Sequence, residues 1–86
     1  YWPDDAAVYA IRGGMYQKRR QYELALKDMN RAIEREPGNA DFYISRALLY
    51  RDFKKMDLAT ADFRKAIELG ASAEECASMM IDTNEE

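Results

Sequence analysis

Arg12 and Asp28 lie 16 residues apart, and so do Arg46 and Asp62. Opposite charges at a fixed spacing can pair to hold a structure, or they can polarise a substrate. Catalysis needs further groups, and the sequence withholds them. There is no His, which removes the commonest general base and the usual partner of a nucleophile. The single cysteine, Cys76, rules out an internal disulfide framework and leaves the compartment open. The remaining carboxylates are scattered, with no metal-ligand spacing and no phosphate-cradling loop; "RGG" (12–14) falls inside a helical stretch. We therefore expect no catalytic residue, no metal ligand and no cofactor, and read the chain as non-enzymatic. The two Arg–Asp spacings are read as structural. Each Arg is expected to reach across to its Asp as a surface pair worth about 0–1 kcal/mol.

The elements that would position those pairs emerge when the chain is compared with itself. Shifted by 34 residues, Tyr9 falls on Tyr43, Arg12 on Arg46, Tyr16 on Tyr50 and Ala25 on Ala59. Asp28, Ala32, Ile33 and Glu34 fall likewise on Asp62, Ala66, Ile67 and Glu68. The chain is two copies of one unit plus a remainder. Within copy one, Tyr9, Gly13 and Tyr16 share one helical face, and Ala25, Met29, Ala32 and Ile33 share another. Copy two repeats this with Tyr43, Ala47 and Tyr50, then Ala59, Phe63, Ala66 and Ile67. Asp4 and Asp5 are candidate caps, "KRRQ" (18–21) marks a tight turn, and Asp57 lies near a helix start. Pro37 cannot continue a helix, Gly38 tolerates a positive φ and Asn39 can cap the next helix, so the stretch "EREPGNADFY" (34–43) is the joint between the copies. β-Branched residues never alternate, and no strand is expected.

Composition agrees with one small soluble domain. At 86 residues the stability should be only about 4–13 kcal/mol. A formal charge of −3 counts against nucleic acid as a partner. No apolar run approaches the roughly 18 residues that span a bilayer, and no signal peptide is recognisable. Residue 1 is Tyr, so a processed chain or an excised piece of something longer is expected.

The pattern Tyr9-x2-Arg12-Gly13-x2-Tyr16, then Ala25-x3-Met29, Ala32 and Pro37, resembles the tetratricopeptide repeat. Copy two matches through Tyr43, Ala47, Tyr50, Ala59, Phe63 and Ala66. It departs at Ala71, where the family has Pro and where Gly70 is expected to stop the helix. Arg12 and Arg46 both depart from the family's Leu slot. The resemblance implies an all-α solenoid of two antiparallel helix hairpins in a single domain over 1–86. Repeat one would take 6–39, repeat two 40–73, and 74–86 would be a solvating cap or a truncated third repeat. Cys76 takes the slot of Val8 and Phe42, where a small buried hydrophobe belongs. Ser72 and Glu75 form a capping box, Ile81 is bulky where the copies are small, and Asp82, Glu85 and Glu86 end the segment polar.

Function is then expected on the face that differs between copies. The resemblance implies a concave groove lined by the first helix of each repeat: Ala7, Ala10, Gly14, Gln17 and Lys18, then Asp41, Ile44, Ser45, Leu48, Arg51 and Asp52. Ala10 and Gly14 would form a shallow floor, Ile44 and Leu48 an apolar one, with Lys18 and Arg51 at the rim. Glu75, Ser78, Met79 and Asp82 would close the far end. The fitting partner is a protein or peptide with an apolar anchor and an acidic flank. The alternative is a structural or self-associating module, a homo-oligomer or intramolecular packing in which Ile44 and Leu48 are covered. The acidic tails of heat-shock chaperones are not expected, because the clamp's Lys and Asn slots hold Ala10, Gly14 and Ser45. Lys18, Arg19 and Arg20, with Arg51, Lys54 and Lys55, form a basic rim opposite Glu34, Glu36, Glu68, Glu74 and Glu75. No aromatic interleaves these cations, so RNA or another anion along that rim is the weaker third reading.

Overall fold

The computed structural model describes residues 5–80, without the Met80 side chain. Five helices follow one another: α1 (Ala6–Lys18), α2 (Tyr22–Arg35), α3 (Ala40–Asp52), α4 (Met56–Glu68) and α5 (Ala73–Met80). No strand occurs among the described residues. α1 pairs with α2 and α3 with α4, while α2 packs on α3 and α4 on α5. No helix among the described residues is long and apolar enough to cross a membrane.

Helix starts follow the capping chemistry of the sequence. The Asp5 carboxylate accepts the Ala7 N–H at 3.0 Å, and the Asn39 side-chain oxygen accepts the Asp41 N–H at 3.0 Å. The Ser72 hydroxyl accepts the Glu75 N–H at 3.2 Å, the first half of the expected capping box. Asp4, Ile81, Asp82, Glu85 and Glu86, to which the sequence reading gave roles, lie outside the described residues. Asp57 sits in the first turn of α4 after the cap position Lys55, where its charge suits the helix dipole.

The ends of α1, α3 and α4 share one device. After α1 the Arg20 N–H donates to the Gln17 carbonyl and the Gln21 N–H to the Tyr16 carbonyl. Lys54 and Lys55 repeat this on Arg51 and Tyr50, and Gly70 and Ala71 on Ile67 and Ala66. Each is a Schellman stop, which needs one residue with positive φ. That residue is Arg20 (φ 62°), Lys54 (φ 65°) or Gly70 (φ 110°). Gly70 does take over the stop from the absent proline.

The hairpins close on small residues. Ala25, Ala32, Ala47, Ala59 and Ala66 are all fully buried, letting helix backbones approach. At Gly13 an added Cβ would lie 3.2 Å from both the Ala25 carbonyl oxygen and the Met29 sulfur. The core has two centres. One joins Ala47, Ala59, Phe63, Ala66 and Cys76, and so ties α5 to the second hairpin. The other joins Ala25 and Met29 of α2 to Leu49 of α3, with Phe42, Tyr22 and Leu26 against them, and so ties the hairpins together.

Burial pushes the Cys76 thiol up from its ordinary range, and the charge of Glu75 adds to the effect. The stability gained by keeping the thiol neutral is fully present below the ordinary thiol pKa. It is lost as pH rises through the raised folded value. A thiol reagent at neutral pH should therefore label the native chain far more slowly than the urea-unfolded chain. Equal labelling rates would mean that α5 does not dock on α4.

Candidate protein-binding groove

Each hairpin is held by the charged pairs from which the sequence reading began. Arg12 donates from Nε and Nη2 to the two oxygens of Asp28 at 2.7 and 2.8 Å. Arg46 does the same to Asp62, at 2.7 and 2.8 Å. The pairing is as expected, but the description as a surface pair is corrected. Asp28 and Asp62 are buried, with side chains only 5% and 8% exposed. Two tyrosine rings flank each guanidinium. Arg12 lies 6.0 Å from the Tyr9 ring centroid and 5.9 Å from that of Tyr16. Arg46 lies 5.6 Å from Tyr43 and 5.8 Å from Tyr50. A Tyr–Arg–Tyr stack whose head is held by a buried carboxylate explains why Arg replaces Leu at this slot in both copies. The hydrogen bonds to Asp28 and Asp62 raise the pKa of both guanidiniums, so both remain charged.

With the hairpins fixed, the first helices stand side by side. Gln17 of α1 donates from Nε2 to Asp52 of α3 at 2.8 Å. Arg51 of α3 donates from Nη1 to the Met79 carbonyl of α5 at 3.1 Å. Both bridges join neighbouring first helices near their C-terminal ends. Gln17 and Arg51 thus tie the stack together, and sequence reasoning did not foresee either contact. Nor did it foresee that Asn30 of α2 accepts the third nitrogen of Arg46 at 2.8 Å. These bonds cross between repeats, and only the 34-residue equivalence of Gln17 with Arg51 hinted at a shared edge.

The expected site residues fall into two stripes. Ala10, Gly14 and Gln17 run along α1 and Ile44, Leu48 and Arg51 along α3, at the same register one repeat apart, and all six are half-buried. Ala10 packs on the centre formed by Ala25, Met29 and Leu49. Ile44 and Leu48 pack on the centre around Phe63. Lys18 and Asp41 are exposed at opposite helix ends. Ser45 is half-buried but shares the register of Ile11, one step round the helix from the Ile44 stripe. Glu75 and Ser78 are exposed on α5, where with Glu74 and Met79 they line a shallow depression of about 400 Å³. The basic residues Lys18, Arg19, Arg20, Lys54 and Lys55 are exposed at the two intra-hairpin turns, where they suit the carbonyl ends of α1 and α3. Among the described residues no three His, Cys, Asp or Glu side chains could jointly hold a metal ion.

Gly14 offers a direct probe of the α1 stripe. A Cβ built there meets nothing within 4 Å, in contrast to Gly13. Gly14→Ala should stabilise the chain by about 0.5–1 kcal/mol through the helix backbone. Gly13→Ala should gain less, because its methyl presses on Ala25 and Met29. Chemical denaturation of both variants checks the order, and the reverse order would mean that α1 is rotated from the position described.

A family model for the tetratricopeptide repeat matches residues 6–39 and again residues 40–70. The two matches together span well over half of the chain. The chain belongs to the tetratricopeptide repeat family. No curated protein matches it by sequence. In tetratricopeptide terms α1 and α3 are the first helices of two tandem repeats, α2 and α4 the second. Repeats of this family generally mediate protein–protein interaction.

Proposed function

We propose that the chain is an interaction module that holds a peptide or partner protein in a concave groove formed by α1, α3 and α5. The observation that carries the reading is the half-buried apolar pair Ile44 and Leu48 beside the open space above Gly14. An apolar anchor fits against Ile44 and Leu48, and the missing side chain at Gly14 admits the ligand's backbone. Lys18 supplies the charge for an acidic flank; Arg51 already shares its head group with Met79. In this reading repeat two runs to residue 73, and α5 serves as the cap that covers the last hairpin through Cys76. A groove of two repeats should bind with micromolar affinity, about −8 kcal/mol.

The test is a display selection of random and natural peptides on the native chain and on Leu48→Glu. Leu48 is half-buried, so circular dichroism must first show the variant folded. Peptides enriched on the native chain should bind the variant at least about tenfold more weakly. Peptides that bind both equally would place recognition elsewhere. An empty selection from a chain that sediments as a dimer would favour self-association through this face.

A further inference from the structure

We propose that the amino-terminal end of the stack is a second docking surface, and that its occupant is an acidic amphipathic helix of another protein. The proposal does not rest on the groove. Val8, Ile11 and Met15 stand 34 residues before Phe42, Ser45 and Leu49. In the second repeat that row makes the contact with the repeat before it: Leu49 is fully buried against Ala25 and Met29 of α2, and Phe42 packs on the same centre. In the first repeat Ile11 and Met15 of that row are open, 65% and 57% exposed, while Val8 is half-buried. The interface inside the molecule thus shows what covers such a row. A helix does, laid along the hairpin as α2 lies along α3.

Charge selects the kind of helix. Beside this row α2 carries Lys27 and Arg31 where α4 has Ala61 and Lys65. A cleft of about 410 Å³ opens among Tyr9, Tyr16, Leu24, Lys27 and Arg31, with the Arg31 guanidinium 5.8 Å from the Tyr9 ring. The one carboxylate among its described lining residues, Asp28, is buried and held by Arg12. Lys27 and Arg31 are exposed and one helical turn apart. A partner helix with two carboxylates one turn apart, next to an apolar stripe, meets both features at once. A second copy has no such helix to give among its described residues: none of its five described helices carries two carboxylates three or four residues apart.

The experiment titrates the isotope-labelled 86-residue chain with two synthetic helical peptides. They share one Leu/Ala face and differ in carrying Glu or Lys on the other. The Glu peptide should shift the amide signals of Ile11, Met15 and Leu24, and its binding should weaken with added salt. The double variant Lys27→Glu/Arg31→Glu, unchanged in circular dichroism, should bind it at least about tenfold more weakly. Equal binding of both peptides, no binding, or shifts confined to Ile44 and Leu48 would overturn the proposal. So would shifts of Ile11 and Met15 that depend on the concentration of the chain alone, which would give the face to a second copy.

Discussion

Phe63→Ala is expected to destabilise the chain by about 3–5 kcal/mol. Phe63 is the largest fully buried side chain among the described residues. Its neighbours Ala47, Ala59 and Ala66 are methyl groups on helices already in close approach, and Cys76 is scarcely larger. These four cannot swing in to fill the space. Only half-buried side chains at the edge of the cluster, such as Leu48, Ile67 and Met79, could lean into it, so most of the cavity term should appear on top of the lost transfer energy. Against a total near 4–13 kcal/mol, the variant should be partly unfolded at room temperature or lose well over 10 °C in Tm. Urea titration followed by circular dichroism measures it. A loss below about 1 kcal/mol would mean that the second hairpin is far more loosely packed than described.

Arg46→Met is the second large effect. The methionine keeps an apolar stem between Tyr43 and Tyr50, so packing changes little. It leaves the Asp62 carboxylate, only 8% exposed, without the two hydrogen bonds that hold it. Breaking a buried pair in this way should cost about 3–5 kcal/mol. Replacing both members, Arg46→Met with Asp62→Leu, should recover most of the loss, since an apolar pair of similar volume fits the same frame. The hydrogen bond to Asp62 raises the Arg46 pKa, with burial opposing it. The pair's contribution from Arg46 is therefore present at all pH values below the ordinary arginine range. It would fall only as pH rose through the still higher folded value. A double variant as unstable as Arg46→Met alone would show that something other than the orphaned charge causes the loss. Arg12, with its side chain 40% exposed against 21% for Arg46, should matter less.

Much of this was legible in the sequence, for a physical reason. A 34-residue repeat copies local registers, so helix faces, caps at Asp5 and Asn39 and the Arg–Asp partnerships all follow from spacing, while the stop at Gly70 follows from the glycine itself. Burial of Asp28 and Asp62 does not follow from it. That depends on how closely the paired helices pack around the carboxylates, and separation along the chain carries no such information. The bridges Gln17–Asp52, Asn30–Arg46 and Arg51–Met79 depend on the rotation of one hairpin against the next, which the period leaves free. Met15 and Leu49 make the same point in reverse. They share a register, yet one is exposed and the other fully buried, because only the second repeat has a described hairpin in front of it. For the candidate groove, the stripes could be read from the sequence, while their occupant depends on chemistry outside the chain.

The most direct measurement of recognition is to titrate a peptide selected on the native chain into the isotope-labelled chain and map the amide shifts. Binding in the groove should concentrate the shifts on α1 and α3, at Ala10, Gly14, Ile44 and Leu48, with smaller changes at Ser78 and Met79 of α5. Shifts centred instead on the outer faces of α2 and α4, at Lys27, Arg31, Ala61 and Lys65, would contradict recognition by the first helices.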